Sequence, residues 1–229
     1  MISQPYRLVD LSIELDPRNF KMRTYAGFKK DMQFELEVIK DYPGGLGQIV
    51  RGVHMRLHAG SHVDAPAHML EGAPHIHEMP LDSFFGPALV ADVRHRGAGD
   101  GITPNDLESA IGDRLARGDR VLLRTDQNTV YDGSSAWMAR APYLSDAVID
   151  WFIERGASIV GFDFYHGAQP PGSPENAHFG AKLSRNGIMT MPYLTNLGAV
   201  GADRFTLASL PLKMVGVEAS PIRAVAILN

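Results

Sequence analysis

The sequence contains no cysteine among its 229 residues, and this absence restricts the chemistry that it can perform. It excludes disulfides, thiolate nucleophiles and zinc sites built on cysteine. Nitrogen and oxygen are then the only strong metal donors. Any metal ion must therefore bind to histidine, aspartate or glutamate side chains.

The sequence also lacks a long apolar run and a cluster of basic residues. No stretch reaches the roughly 18–20 apolar residues of a membrane span, and Pro5, Arg7 and Asp10 interrupt the start of the chain before a signal-like run could form. The net charge is −4, and basic residues cluster no further than Lys29–Lys30. These features predict a cytoplasmic protein with a small-molecule ligand, and they argue against nucleic acid and membrane as partners.

The length and the hydrophobic content of 45% predict one globular domain, residues 1–229. Short β-rich runs alternate with two helical segments, TPNDLESAIGDRLA and LSDAVIDWFIERG. The first predicted helix begins at Thr103, and the second begins at Ser145 and ends at Gly156. Each helix leads into a strand, GDRVLLRT or GASIVGFDF. This order predicts an α/β fold with a partly parallel sheet and antiparallel strands near the amino terminus.

The segment RLHAGSHVDAPAHM, residues 56–69, concentrates three of the nine histidines and one aspartate. His62 and Asp64 are two residues apart, so on an extended chain their side chains point to the same side. Gly60 allows the backbone to bend and to bring His58 towards them. Two neutral imidazoles and one carboxylate are a common ligand set for Zn²⁺, Mn²⁺ or Fe²⁺, and they leave coordination positions open.

His68 lies beyond Pro66, which fixes the backbone and prevents a helix. His68 can therefore approach the cluster from another direction, which suits proton transfer better than metal ligation. His58 and His62 have the spacing of the zinc-binding H-E-x-x-H helix, but the glutamate is absent and Gly60 stands within the turn, so that site is not predicted. Three further histidines are interpreted as structural or solvated: His54, His75 and His77.

The run HAGSHVDAPAH closely resembles the H-x-G-T-H-x-D-x-P-x-H signature of the cyclase-like metal-dependent hydrolases, which include bacterial kynurenine formamidase and isatin hydrolase. Other segments, from DLSIEL near the start to LPLKMVGVEASPIRAVAIL at the end, resemble further blocks of this superfamily in their usual order. The resemblance implies a swivelling β/β/α domain, with a central barrel-like mixed sheet flanked by helices. It also implies a homodimer or homotetramer with the site near a subunit interface.

The same resemblance implies roles for individual residues. His58, His62 and Asp64 correspond to metal ligands, and His68 corresponds to the general acid/base. Ser61 stands where the signature has threonine and retains the hydroxyl group.

In members with two metal ions, Asp64 would bridge to a second ion that a downstream histidine and glutamate complete. His178 in NAHFGAKL is placed like that histidine, whereas Pro192 in GIMTMPYLTNL stands at the glutamate position. Proline has no side-chain donor, so we expect one divalent ion per chain, Zn²⁺ or Mn²⁺. His178 would then contact the substrate or a weak second ion.

The stretch GFDFYHGA differs from the formamidase pattern, because His166 and Ala168 replace Ser-x-Asp, and this argues against activity on kynurenine derivatives. The predicted reaction is hydrolysis of a carbon–nitrogen bond in a small amide, cyclic amide, imide or formamide by metal-activated water. Two alternatives remain open: a metal-dependent cyclase or lyase, and a non-catalytic protein that binds a metal or a metabolite.

Overall fold

The structure, a computed structural model, describes residues 5–18, 20, 33–42, 47–165 and 177–228. His166 and Ala168 lie outside these residues. Within them the strands are β1 (Arg7–Asp10), β2 (Glu35–Lys40), β3 (Val50–His54), β4 (His62–Asp64), β5 (Phe85–Asp92), β6 (Gly101–Ile102), β7 (Arg120–Arg124), β8 (Tyr143–Leu144), β9 (Ile159–Phe162), β10 (Met189–Met191), β11 (Phe205–Ala208), β12 (Ala219–Pro221) and β13 (Val225–Leu228). The helices are α1 (Pro104–Ile111), α2 (Ser135–Met138), α3 (Asp146–Arg155) and α4 (Ala177–Arg185).

The two predicted helices are confirmed as α1 and α3. Thr103 caps α1 and shares a capping box with Asp106, and the segment beyond Ile111 continues as a short 3-10 turn. Ser145 caps α3, and Gly156 ends it in the left-handed conformation with φ of 69°. No helix in the described part of the chain has the length and apolar character needed to cross a membrane.

The main sheet has nine strands in the order β1-β13-β11-β5-β7-β9-β10-β4-β12. Its central strands β5, β7, β9 and β10 are parallel, and the connections between them contain α1, α3 and α4 in turn. The strands on both flanks are antiparallel. The predicted mixed α/β fold is therefore confirmed.

The sheet curls into a half-barrel. Ser12, just after edge strand β1, forms a β-bridge with Leu194, which follows β10 on the far side of the sheet order. Leu11 strengthens this closure, since its carbonyl accepts a hydrogen bond from the Thr195 amide at 2.9 Å. The closure brings the amino-terminal segment against the strands that surround β4.

Both faces of the central sheet are buried. On β7, Val121 and Leu123 face the helices, whereas Leu122 faces the interior of the curl together with Met191 and Leu207. Such continuous apolar strands are typical of a parallel sheet covered on both sides. The core therefore fixes the position of β10, and through it that of β4, the strand that carries the histidine motif.

Strands β2 and β3 form a separate antiparallel hairpin outside the main sheet. Every residue of β2 is exposed. Leu36 and Val53 are opposite each other, so they share one face of this ribbon and are 47% and 52% exposed. An isolated two-stranded hairpin is marginally stable in water, so this ribbon needs a surface to cover it.

Candidate active site

The histidine motif folds as one strand with a turn on either side. Strand β4 carries His62 and Asp64 between β10 and β12, and His68 ends the 3-10 turn that Pro66 begins. Gly60 has a φ of 61°, and a Cβ atom there would lie 2.6 Å from Leu15 Cδ2. Only glycine adopts this conformation readily, so Gly60 produces the predicted bend before the strand.

Three side chains of the motif converge on one point, as the sequence predicts. His58 Nδ1 lies 3.2 Å from His62 Nε2 and 2.9 Å from Asp64 Oδ1, and His62 Nε2 lies 3.3 Å from Asp64 Oδ1. Tetrahedral ligands at the usual zinc bond lengths of about 2.0–2.1 Å are separated by about 3.3 Å. The spacing of the three donor atoms therefore fits a metal ion.

A buried oxygen atom supports this fit. No described residue donates a well-aligned hydrogen bond to Asp64 Oδ1, although His58 Nδ1 lies only 2.9 Å away. A buried carboxylate oxygen without a donor is costly. A divalent cation between the three side chains would satisfy Oδ1.

Each of the three side chains is oriented by a partner on its outer side. His62 Nδ1 donates to the Gly60 carbonyl at 2.7 Å, which leaves Nε2 free for a metal. His58 Nε2 lies 3.1 Å from Glu218 Oε1, and Asp64 Oδ2 accepts a hydrogen bond from Thr190 Oγ1 at 2.8 Å. Such outer partners fix the ring orientation and tautomer of histidine ligands.

The electrostatics of the cluster favour a positive charge. Burial alone would lower the pKa of His58, but Asp64 and Glu218 outweigh it and raise that pKa to about 9. Burial alone would raise the pKa of Asp64, but the adjacent side chains of His62 and His58, whose nitrogens lie 3.3 and 2.9 Å from Oδ1, hold that pKa well below its usual range. Without a metal, a proton on His58 supplies the charge that a cation would otherwise provide.

His68 lies beside this cluster. Its ring is tilted against the His58 ring, with centroids 4.2 Å apart, and its side chain is accessible to solvent. Partial burial and the neighbouring histidines lower the pKa of His68, against the opposing effect of Asp64. A neutral His68 next to the cluster can accept a proton.

The residue that faces the outer oxygen of Asp64 is Thr190, which pairs with Asp64 across β10 and β4. Pro192, which stands where two-metal members have the glutamate ligand of the second ion, lies two residues further on, beyond the end of β10. Neither Thr190 nor Pro192 has a carboxylate, so neither can replace the glutamate ligand of a second metal ion. His178 lies in the first turn of α4, and its side chain is outside the described part of the structure.

Sequence reasoning missed Glu218, which is 160 residues from His58 along the chain. It also missed the aromatic side of the site. The Tyr193 ring lies 5.9 Å from the His62 ring and 6.3 Å from Trp137, measured between centroids. Tyr193 has a φ of 60°, an unusual conformation for a bulky residue, and Ser61 Oγ binds its carbonyl at 2.6 Å. No local pattern marks these long-range partners.

Comparison with known proteins agrees with this geometry. Residues 9–166 match the Cyclase family model. The chain belongs to the Cyclase family. The kynurenine formamidase of Salinibacter ruber is 32% identical to this family member over 173 residues, which cover 76% of this chain and 77% of the relative. The kynurenine formamidase of Bordetella petrii is 32% identical over 177 residues, which cover 77% of this chain and 79% of the relative.

Solved structures show the same fold as this Cyclase family member. Isatin hydrolase A from Labrenzia aggregata, solved with benzyl benzoate, superposes with a TM-score of 0.84 at 25% identity and covers 97% of this chain and 94% of its own. Isatin hydrolase A from Ralstonia solanacearum gives a TM-score of 0.85 at 24% identity, with 98% and 92% covered. The predicted membership of the cyclase-like hydrolases is confirmed. These relatives and the His/Asp cluster indicate a metal-dependent hydrolase of carbon–nitrogen bonds.

Proposed function

We propose that this protein hydrolyses the carbon–nitrogen bond of a small amide, cyclic amide, imide or formamide. His58, His62 and Asp64 hold a divalent metal ion, and His68 transfers protons. The observation that carries this proposal is the triangle of donor atoms at 2.9, 3.2 and 3.3 Å, with the His68 ring at its side. The kinship with formamidases and isatin hydrolases supports the reaction class.

A divalent ion held by His58, His62 and Asp64 would supply a water molecule of lowered pKa and would polarise a substrate carbonyl. His68 accepts the proton of the attacking water and delivers a proton to the leaving nitrogen, a role worth about 10²–10⁴ in rate. Tyr193, which packs against the buried Trp137, gives the substrate an aromatic surface beside His62.

One ion per chain, Zn²⁺ or Mn²⁺, belongs to this proposal. Two imidazoles and a carboxylate suit either metal. The support for a single ion is Thr190, whose hydroxyl donates to Asp64 where a second ion would need a further carboxylate. His178 then contacts the substrate or a weakly held second ion. Elemental analysis after dialysis tests the number, and two retained ions per chain would contradict it.

A substrate screen tests the reaction. Protein loaded with Zn²⁺ or Mn²⁺ is given amides, lactams, imides and formamides, and release of a new carboxylic acid is measured. Acid release supports hydrolysis. Ring closure or water elimination without acid release supports the cyclase or lyase alternative, and binding without turnover supports a non-catalytic protein.

His68→Ala tests the proton transfer. We expect metal content to stay near that of the unmodified protein while turnover falls by a factor of about 100 or more. His77→Ala, a half-buried histidine outside the site, is the matched control. Loss of metal together with activity in His68→Ala would contradict the assigned role.

A homodimer or homotetramer is also part of the proposal. Its support is the hairpin of β2 and β3, which precedes the histidine motif in the sequence. Leu36 and Val53 form an exposed apolar face on this hairpin. Light scattering measures the assembly, and the double variant Leu36→Glu, Val53→Glu should dissociate it, whereas Glu37→Gln on the other face should not. A monomeric unmodified protein would refute this assembly.

A cytoplasmic location completes the proposal. The chain has no cysteine, so its fold does not depend on an oxidising compartment. Fractionation of cells that produce the protein tests the location.

A further inference from the structure

Glu218 is held beside the ligand strand by backbone pairing. It immediately precedes β12, and its carbonyl accepts a hydrogen bond from the Ala65 amide at 2.9 Å. The next residue, Ala219, pairs directly with Asp64. The register between β12 and β4 therefore delivers the Glu218 side chain to the edge of the site.

The carboxylate of Glu218 contacts the nitrogen of His58 that faces away from the other donors. Glu218 Oε1 lies 3.1 Å from His58 Nε2, whereas His58 Nδ1 lies within 3.2 Å of both His62 Nε2 and Asp64 Oδ1. A neutral imidazole that donates its hydrogen from Nε2 has its lone pair on Nδ1. A hydrogen bond to Glu218 thus turns the metal-binding lone pair of His58 towards the cluster.

We propose that Glu218 is a positioning residue, which fixes His58 in the tautomer and orientation that bind the metal ion. This inference rests on the proposed function, because it assumes that the cluster holds a divalent ion. The outer partner of His62 is the backbone carbonyl of Gly60. The outer partner of His58 is the carboxylate of Glu218. Outer partners of this kind change metal affinity by about 10–100-fold when they are removed.

A competing arrangement shares the same atoms. One donor atom each from His58, His68 and Glu218 lie within 4.8 Å of one another, so this group could itself hold a cation. In that arrangement Glu218 would be a direct ligand of a second ion. The number of bound ions distinguishes the two arrangements.

The experiment compares Glu218→Ala and Glu218→Gln with the unmodified protein. Zn²⁺ affinity is measured by competition with a chelator, the coordination of bound Co²⁺ by its visible spectrum, and the number of ions by elemental analysis. Glu154→Ala, which removes an exposed glutamate from α3, is the matched control.

We expect Glu218→Ala to bind Zn²⁺ about 10–100-fold more weakly, with an altered Co²⁺ spectrum and still one ion per chain at saturation. Glu218→Gln keeps an acceptor oxygen without the charge, so its loss should be smaller, roughly three- to tenfold. Glu154→Ala should match the unmodified protein. Glu218→Gln also provides the readout if Glu218→Ala does not fold.

Two results would overturn the inference without contradicting the proposed hydrolysis, although the second would also contradict the single ion per chain. The first is affinity within about twofold of the unmodified protein in both Glu218 variants. The second is a drop from two bound ions to one, which would make Glu218 a direct ligand. If the unmodified protein binds no ion, or if His62→Ala binds it equally well, the proposed function fails and the inference fails with it.

Discussion

The hydrogen bond from Thr190 to Asp64 links β10 to the ligand strand inside the protein, and Thr190→Val removes it with little change in side-chain size. Both residues are buried, each with 9% exposure, and the oxygen–oxygen distance is 2.8 Å. Water has little access to Asp64 Oδ2, so the lost donor is not readily replaced. The substitution therefore isolates the contribution of one charge-assisted hydrogen bond.

The expected cost follows from the burial of this pair. A hydrogen bond to a charged group contributes about 1.5–3 kcal/mol to the free energy of unfolding. With a urea m-value of about 3 kcal/mol/M, the metal-free Thr190→Val protein should unfold at a urea concentration lower by about 0.5–1 M. Because Asp64 also loses its orienting partner, metal affinity should fall by about 10–100-fold.

Urea unfolding with a chelator present and Zn²⁺ competition without it measure the two effects separately. Thr206→Val, the same change on β11, is the control for altered strand propensity. An unchanged midpoint and an unchanged metal affinity in Thr190→Val would refute the reasoning. Equal losses in both variants would assign the effect to the strand and not to the hydrogen bond.

Three further predictions concern the motif and its support. Asp64→Asn removes the anionic donor, so added Zn²⁺ should raise the thermal midpoint of the unmodified protein but not that of the variant; an equal rise in both would contradict the ligand assignment. Gly60→Ala places a Cβ atom against Leu15 in the left-handed region and should lower the free energy of unfolding by about 1–2 kcal/mol in urea; unchanged stability would contradict the strain argument. Burial raises the pKa of Asp163 to about 6, despite hydrogen bonds from Thr125. The folded protein therefore holds this proton more tightly than the unfolded chain, and the contribution of Asp163 to stability should fall by about 3 kcal/mol as the pH rises from about 4 to above 6. Asp163→Asn should lose this part of the pH dependence in urea unfolding, and an unaltered pH profile would count against the raised pKa.

The parts of the site that the sequence predicts are those made within one short segment. His58, His62 and Asp64 converge because a glycine bend precedes a three-residue strand, and both features are visible in the spacing of the motif. The same holds for α1 and α3, whose caps are local signals. Local geometry is enough in these cases, because the relevant atoms are fixed by a few consecutive backbone torsions.

The partners around the motif depend on strand register, which a single sequence does not specify. Thr190 meets Asp64 across 126 residues and Glu218 meets His58 across 160. A shift of one residue in either pairing would turn these side chains to the opposite face. Both registers meet at Asp64, which pairs with Thr190 across β10 and β4 and with Ala219 across β12 and β4. The motif can therefore bring the donor atoms together, but the sheet as a whole determines which partners orient them, and this is why substitutions at Thr190 and Glu218 test the metal centre independently of its ligands.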